Sequence, residues 1–265
     1  MATDPLTVSP WVTCPESARG QLSLETLATC WPDLHAGDGE CLPSSAPLLA
    51  AWLLYHNGDF ESAAQAGMAL GKDGATLAYK ATCIYATYLE PGEARRMALL
   101  QQVAALARDQ QALTPATANV HYWQAYALGR YSQGISVAKA LSSGLGRSVR
   151  EALQRCLALA PDHVDAHLAL GHYHAEVIDK VGELIGGMTH GASKTTAMAL
   201  YDRALALSPD SAITRCEVAQ GWMLLEGSRA LERAQKLRES AWALKARDAM
   251  EHLYLRAAQA DLQDV

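Results

Sequence analysis

The chain has 265 residues, half of them hydrophobic and mostly Ala and Leu, with one Phe and a net charge of −6. Ala and Leu favour helix, and the lack of β-branched runs excludes a large sheet. The acidic balance, without a long basic cluster, argues against nucleic acid and anionic membrane as partners.

No apolar run reaches the roughly 18 residues of a membrane span. The start, MATDPLTVSPWVTCPES, has no basic region followed by an apolar one, so no signal peptide is expected. Six cysteines without a CxxC pair fit reduced thiols in a cytoplasmic protein.

Residues 1–45 read as an N-terminal capping segment and 46–265 as a helical repeat domain. Pro5, Pro10, Pro15, Pro32 and Pro43 interrupt the first part, and Gly37-Asp38-Gly39 signals a turn. A short helix is expected over Gln21–Cys30, with Leu22, Leu24 and Leu27 as its apolar side and with Trp11 and Trp31 docking the segment on the first repeat. Cys14, Cys30, His35 and Cys41 match no compact zinc spacing and read as ordinary buried residues.

A first helix pair follows, from Ala46 to Leu70, turning at Asn57-Gly58-Asp59-Phe60, with Pro47 near its start where a missing N–H costs nothing. The second pair is expected over Ala75–Leu89 and Glu93–Asp109, turning at Glu90-Pro91-Gly92. Thr114-Pro115 opens a third pair whose return helix starts at Arg147. A fourth runs from His163 to Pro209, and a fifth uses Ala212–Leu225 and Ala230–Leu244. The helical tail to Val265 caps the array.

Recurrence carries the fold expectation. Ala127-Leu128-Gly129-Arg130-Tyr131 returns as Ala169-Leu170-Gly171-His172-Tyr173, and Leu157-Ala158-Leu159-Ala160-Pro161-Asp162 as Leu205-Ala206-Leu207-Ser208-Pro209-Asp210. This cadence resembles the tetratricopeptide (TPR) repeat, whose period is about 34 residues and whose units bury their apolar faces only by stacking. The expectation is an all-α, TPR-like α-solenoid of about five antiparallel helix pairs with two enlarged inter-helix inserts, at 132–146 and 178–195. Gly129 and Gly171 would mark tight helix crossings.

Leu170-Gly171-His172-Tyr173-His174-Ala175-Glu176-Val177 and the stretch Ser193–Pro209 resemble the regulator of microtubule dynamics family, over residues 115–225. A T-component protein of TRAP-type transporters is similar in architecture. The resemblance implies a TPR-like fold. The Ala-rich, Lys-poor composition reads as bacterial and argues against a microtubule role.

No catalytic residue, metal or cofactor is expected. His172 and Glu176 share a helix face and read as a local hydrogen bond rather than an acid–base pair. Ser143-Gly144-Leu145-Gly146-Arg147-Ser148 is not a phosphate loop. The apolar insert around Leu184-Ile185-Gly186-Gly187-Met188 is expected to fold over the solenoid's own concave side, with a partner-docking flap as the alternative. The expected function is a non-enzymatic scaffold or adaptor that binds a protein segment or peptide in the concave groove. The alternative is a small-molecule carrier with a cavity closed by the two inserts. Ligand contacts are expected from Trp52, Tyr55 and His56, from Trp123, Tyr126 and Arg130, from Leu168, His172 and Glu176, and from Cys216, Gln220 and Met223.

Overall fold

A computed structural model describes residues 10–135, 139–140 and 143–260, all helix, turn and loop, with no strand among them. Capped by Ser23, whose hydroxyl and that of Thr26 form a capping box, α1 (Leu24–Leu34) starts later than the pattern suggested and runs on through Pro32. The first pair is α2 (Ala46–His56) and α3 (Phe60–Ala69); Asp59 caps the latter through the Ser62 amide. Next come α4 (Ala75–Tyr88) and α5 (Glu93–Leu113), then α6 (Ala118–Gln133) and α7 (Leu145–Leu159).

After α7 the chain departs from its expected course. Instead of a Gly-rich loop, α8 (Val164–Val181) continues to the edge of the insert, and Glu183–His190 forms a separate helix, α9. Gly182 and Gly191, at φ +80° and +65°, break the chain on either side, conformations that side-chain-bearing residues avoid. The last elements are α10 (Lys194–Leu207), α11 (Ala212–Glu226), α12 (Leu231–Trp242) and α13 (Ala249–Ala260).

From α2 to α8 each helix packs on the next, and α8, α10, α11 and α12 continue the series. Helices two apart also touch, as α2 with α4 and α4 with α6, while α8 meets α11. The centre is α4, in which every residue from Ala75 to Ala86 is buried. A helix apolar all round belongs inside a protein. The chain ends complete its covering. Trp11 stacks on Tyr85 at 4.1 Å and Trp31 packs edge-on to Trp52 at 5.6 Å. From the other end, α13 returns to touch α2, α4 and α11.

The repeated Ala-Leu-Gly motif has two different outcomes. A Cβ at Gly171 would meet the Tyr201 ring at 2.6 Å, and Gly221 on α11 presses the same ring from its other side. Tyr201 is thereby fully enclosed between α8 and α11. At Gly129 a Cβ would meet nothing within 4 Å among the described residues, so the expected tight crossing is absent among them. The bulky partner ring exists only in the second copy.

Candidate functional site

Lys80 is the one charged residue in the α4 segment, and its ammonium is buried. Its Nζ donates to Asp38 Oδ2 at 2.7 Å and lies 5.2–5.9 Å from the ring centroids of Tyr55, Trp52 and Trp123. Three π-faces and one carboxylate thus replace its water. Asp38 follows α1, and its Oδ1 accepts from His35 Nδ1 at 2.8 Å. His35 Nε2 faces His56 Nε2 at 3.2 Å, and His56 Nδ1 meets Asp248 Oδ2 at 2.7 Å. Asp248 Oδ1 in turn caps α13 through the Glu251 amide at 2.9 Å. One buried row of polar groups therefore binds four remote segments together.

Burial alone would disfavour these charges, and pairing reverses it. Burial opposes ionisation of Asp38, but Lys80 and His35 hold it well below the usual carboxylate range. Burial likewise opposes charge on Lys80, and Asp38 outweighs it, raising the ammonium's pKa. Asp248 is lowered against its burial by the hydrogen bond from His56. Further along, His163 Nε2 meets Asn119 Oδ1 at 2.8 Å, and Asn119 donates to Glu40 at 2.7 Å. Burial and the Asp38 charge push both Glu40 and Asp165 up to about 7.

A cavity of about 40 Å³ opens beside this row, lined by Asp38, Lys80, Asp165, Arg247 and Asp248 among others. That volume suits water, and is far below the few hundred Å³ of a small-molecule site. It lies away from the inserts at 132–146 and 178–195; positions 136–138 and 141–142 of the first lie outside the described residues.

A second polar group forms where α6, α8 and α11 come together, and it is mostly rather than fully buried. His172 Nε2 lies 2.6 Å from Glu217 Oε2, with side chains 14% and 19% exposed. Burial would lower His172, but Glu217 raises it; burial would raise Glu217, but His172 brings it down to about 2. The Arg130 guanidinium lies 5.3 Å from the Tyr126 ring centroid and donates to Gln133 Oε1 at 3.3 Å. Gln133 donates to Glu176 Oε1 at 2.9 Å. The expected His172–Glu176 hydrogen bond is thus replaced by two cross-helix contacts, because Glu217, the partner of His172, and Gln133, the partner of Glu176, stand on neighbouring helices.

The twelve residues expected to face a ligand divide between these two places and the core. Trp52, Tyr55, His56 and Trp123 are buried around Lys80. Leu168 and Cys216 are also buried, in clusters around Tyr201 and Tyr254. None of these six faces solvent, because the 35–40 loop and α13 lie over the first group and helix packing encloses the others. Tyr126, Arg130, His172, Glu176 and Met223 are half-buried, and Gln220 is exposed. His35, Asp38, Lys80, Asp165, Glu217 and Asp248 were absent from the sequence-based set. Lys80 carried the one available signal, a lone charge in an apolar helix, which requires a buried partner.

The insert helix α9 packs through Gly186 on Val177 and Val181 of α8. It turns Leu184, Ile185 and Met188 outward, 76%, 56% and 81% exposed, so its apolar side does not fold inward as expected. Among the described residues no group of three or more His, Cys, Asp or Glu side chains is placed to hold a metal ion. No helix among them is long and apolar enough to cross a membrane. Compared with protein-family models and with curated proteins, the chain matches none.

Proposed function

We propose that the chain is a non-enzymatic adaptor of TPR-like, solenoidal architecture, built from about five helix pairs, that binds a protein segment on its concave side. The observation that carries this reading is the partly buried strip of Tyr126, Arg130, Glu176, His172 and Glu217, contributed by α6, α8 and α11. It mixes an aromatic ring, an arginine and paired charges, a composition in which recognition contacts concentrate. The buried Lys80 end offers a partner nothing, since the chain's own loop and α13 already occupy it. Outward Leu184, Ile185 and Met188 favour a protein partner over a small molecule, because large apolar side chains on an ordered helix suit macromolecular contact. Six unpaired cysteines accord with a reducing compartment such as the cytoplasm.

Selection from a phage-displayed random peptide library tests the reading. Calorimetry should show selected peptides binding the wild type and losing about tenfold or more in affinity to Arg130→Ala and Glu217→Gln, the range of a contact worth 1.4 kcal/mol. Peptides that bind the wild type and both variants alike would remove the strip as the binding surface.

A further inference from the structure

Three close contacts stand in series at the buried end of the site. Asp38 Oδ1 meets His35 Nδ1 at 2.8 Å, the two histidine Nε2 atoms face each other at 3.2 Å, and His56 Nδ1 meets Asp248 Oδ2 at 2.7 Å. At such distances each contact is a hydrogen bond only if a proton lies in it. A neutral imidazole carries one N–H and an ionised carboxylate none. Two histidines therefore bring two protons to three gaps. Without a third, a lone pair faces a lone pair or a carboxylate, where the full cost of an unsatisfied buried group applies.

We propose that the Asp38–His35–His56–Asp248 row binds one additional proton, and that this proton latches α13 and the 35–38 loop onto α2. Charge balance supports the count. Lys80 contributes +1 and the two aspartates −1 each, so the third proton makes the buried set neutral and its loss leaves a net negative charge inside. Among the described residues, the cations beside the row are already engaged. Arg247, before α13, is committed to Glu251 and to the Asp33 carbonyl. His163 of α8 is committed to Asn119 and to the Ala166 amide. Burial holds the phenols of Tyr55 and Tyr122 protonated, and the acids Glu40 and Asp165 add negative charge as pH rises.

The sign follows from proton counts. Above the ordinary imidazole value of about 6.5, an opened row holds its two N–H protons, whereas the latched row holds three. Latching therefore weakens as pH rises, by about tenfold per unit while the latched row keeps the third proton and the opened row has shed it. Opening would release Tyr254 from Glu217, the hydrogen bond through which α13 reaches the second polar group. The proposal stands on this geometry and not on the adaptor reading.

Hydrogen–deuterium exchange of the full chain between about pH 6.5 and 9 tests it, the amides of 248–254 being read as opening constants after correction for intrinsic exchange. Wild type should open more readily as pH rises. Asp248→Asn supplies the third proton covalently, because its amide donates to His56 Nδ1 while its oxygen still caps Glu251. That variant should stay latched and lose the pH dependence. Asp165→Asn should retain it. A flat wild-type profile, an Asp248→Asn profile that tracks wild type, or loss of the dependence in Asp165→Asn would each overturn the proposal. Should Asp248→Asn fail to fold, proton NMR of wild type labelled at histidine and aspartate decides: three hydrogen-bonded protons support the row, and two overturn it.

Discussion

The two polar groups both lie between packed helices and differ in what the chain ends do to them. Around Lys80, the 35–38 loop and the Asp248 segment close over charges presented by α2 and α4, and the whole row is buried. Around His172, α6, α8 and α11 receive Tyr254 from α13, and the side chains of the ion pair are left 14% and 19% exposed. A charge sealed from water and paired is costly to unpair, whereas one at the surface is worth little either way. The first group should therefore belong to stability and the second to recognition, and substitutions can break that division.

The largest effect is expected at Lys80. Lys80→Met keeps the length and apolar stem but leaves Asp38 facing one histidine and no ammonium. Removing one partner of a buried pair costs about 3–5 kcal/mol. Glu217→Gln, in the less deeply buried pair, should cost less. Denaturant unfolding of both variants checks the contrast; equal losses would mean that burial does not separate the two groups.

A second test compares the two copies of the Ala-Leu-Gly motif. Gly171→Leu must displace the Tyr201 ring, already held by Gly221, and should lose about 1–3 kcal/mol or more. Gly129→Ala meets open space within a helix and should gain about 0.5–1 kcal/mol. Opposite signs in thermal melts of the two variants are the expected result. A cost at Gly129 would mean that its surroundings are tighter than the structure places them.

That pair also shows what was legible in the sequence. Hairpins were, because their signals are local: Asn57-Gly58-Asp59-Phe60 turns the chain into α3, and Pro161-Asp162 and Pro209-Asp210 precede α8 and α11. Whether a recurring glycine meets a ring depends on another helix, and no local pattern distinguishes Gly129 from Gly171. The buried row was hidden for the same reason. His56 and Asp248 stand 192 residues apart, and each reads locally as an ordinary helix-terminal polar residue. Tyr126, Arg130, His172 and Glu176 were legible as one face because helical periodicity and the repeat align them. Glu217, the direct partner of His172, fell one position beside the register expected for α11, at which Cys216 was placed instead.

A smaller but sign-sensitive effect separates the histidines. His172, raised above 6.5 by Glu217 against its burial, contributes stability that is fully present below 6.5 and is lost as pH rises through its folded value. His35, lowered by burial to about 4, contributes stability present above 6.5 and lost as pH falls toward 4. Glu217, brought down to about 2, contributes above 4.5 and loses that contribution as pH falls toward 2. Titration of the imidazole resonances should place His172 above and His35 below the free value. The reverse order would transfer the ion-pair character to the wrong end of the molecule.

The smallest effect on stability is expected at Arg130, and it sharpens the comparison most. Arg130 and Lys80 both set a cation beside aromatic rings, at 5.3 Å from Tyr126 in one case and 5.2 Å from Tyr55 in the other. If the cation–π contact itself decided stability, the two substitutions would cost alike. Half-buried Arg130 can be replaced by water, and Gln133 keeps its bond to Glu176 when the guanidinium is gone. Arg130→Ala should therefore shift unfolding by about 0.5–1 kcal/mol, the worth of an exposed cation–π contact, with no change of fold. Its consequence should appear in peptide affinity instead. A loss matching that of Lys80→Met would make Arg130 a structural residue and leave the proposed adaptor without its central polar contact.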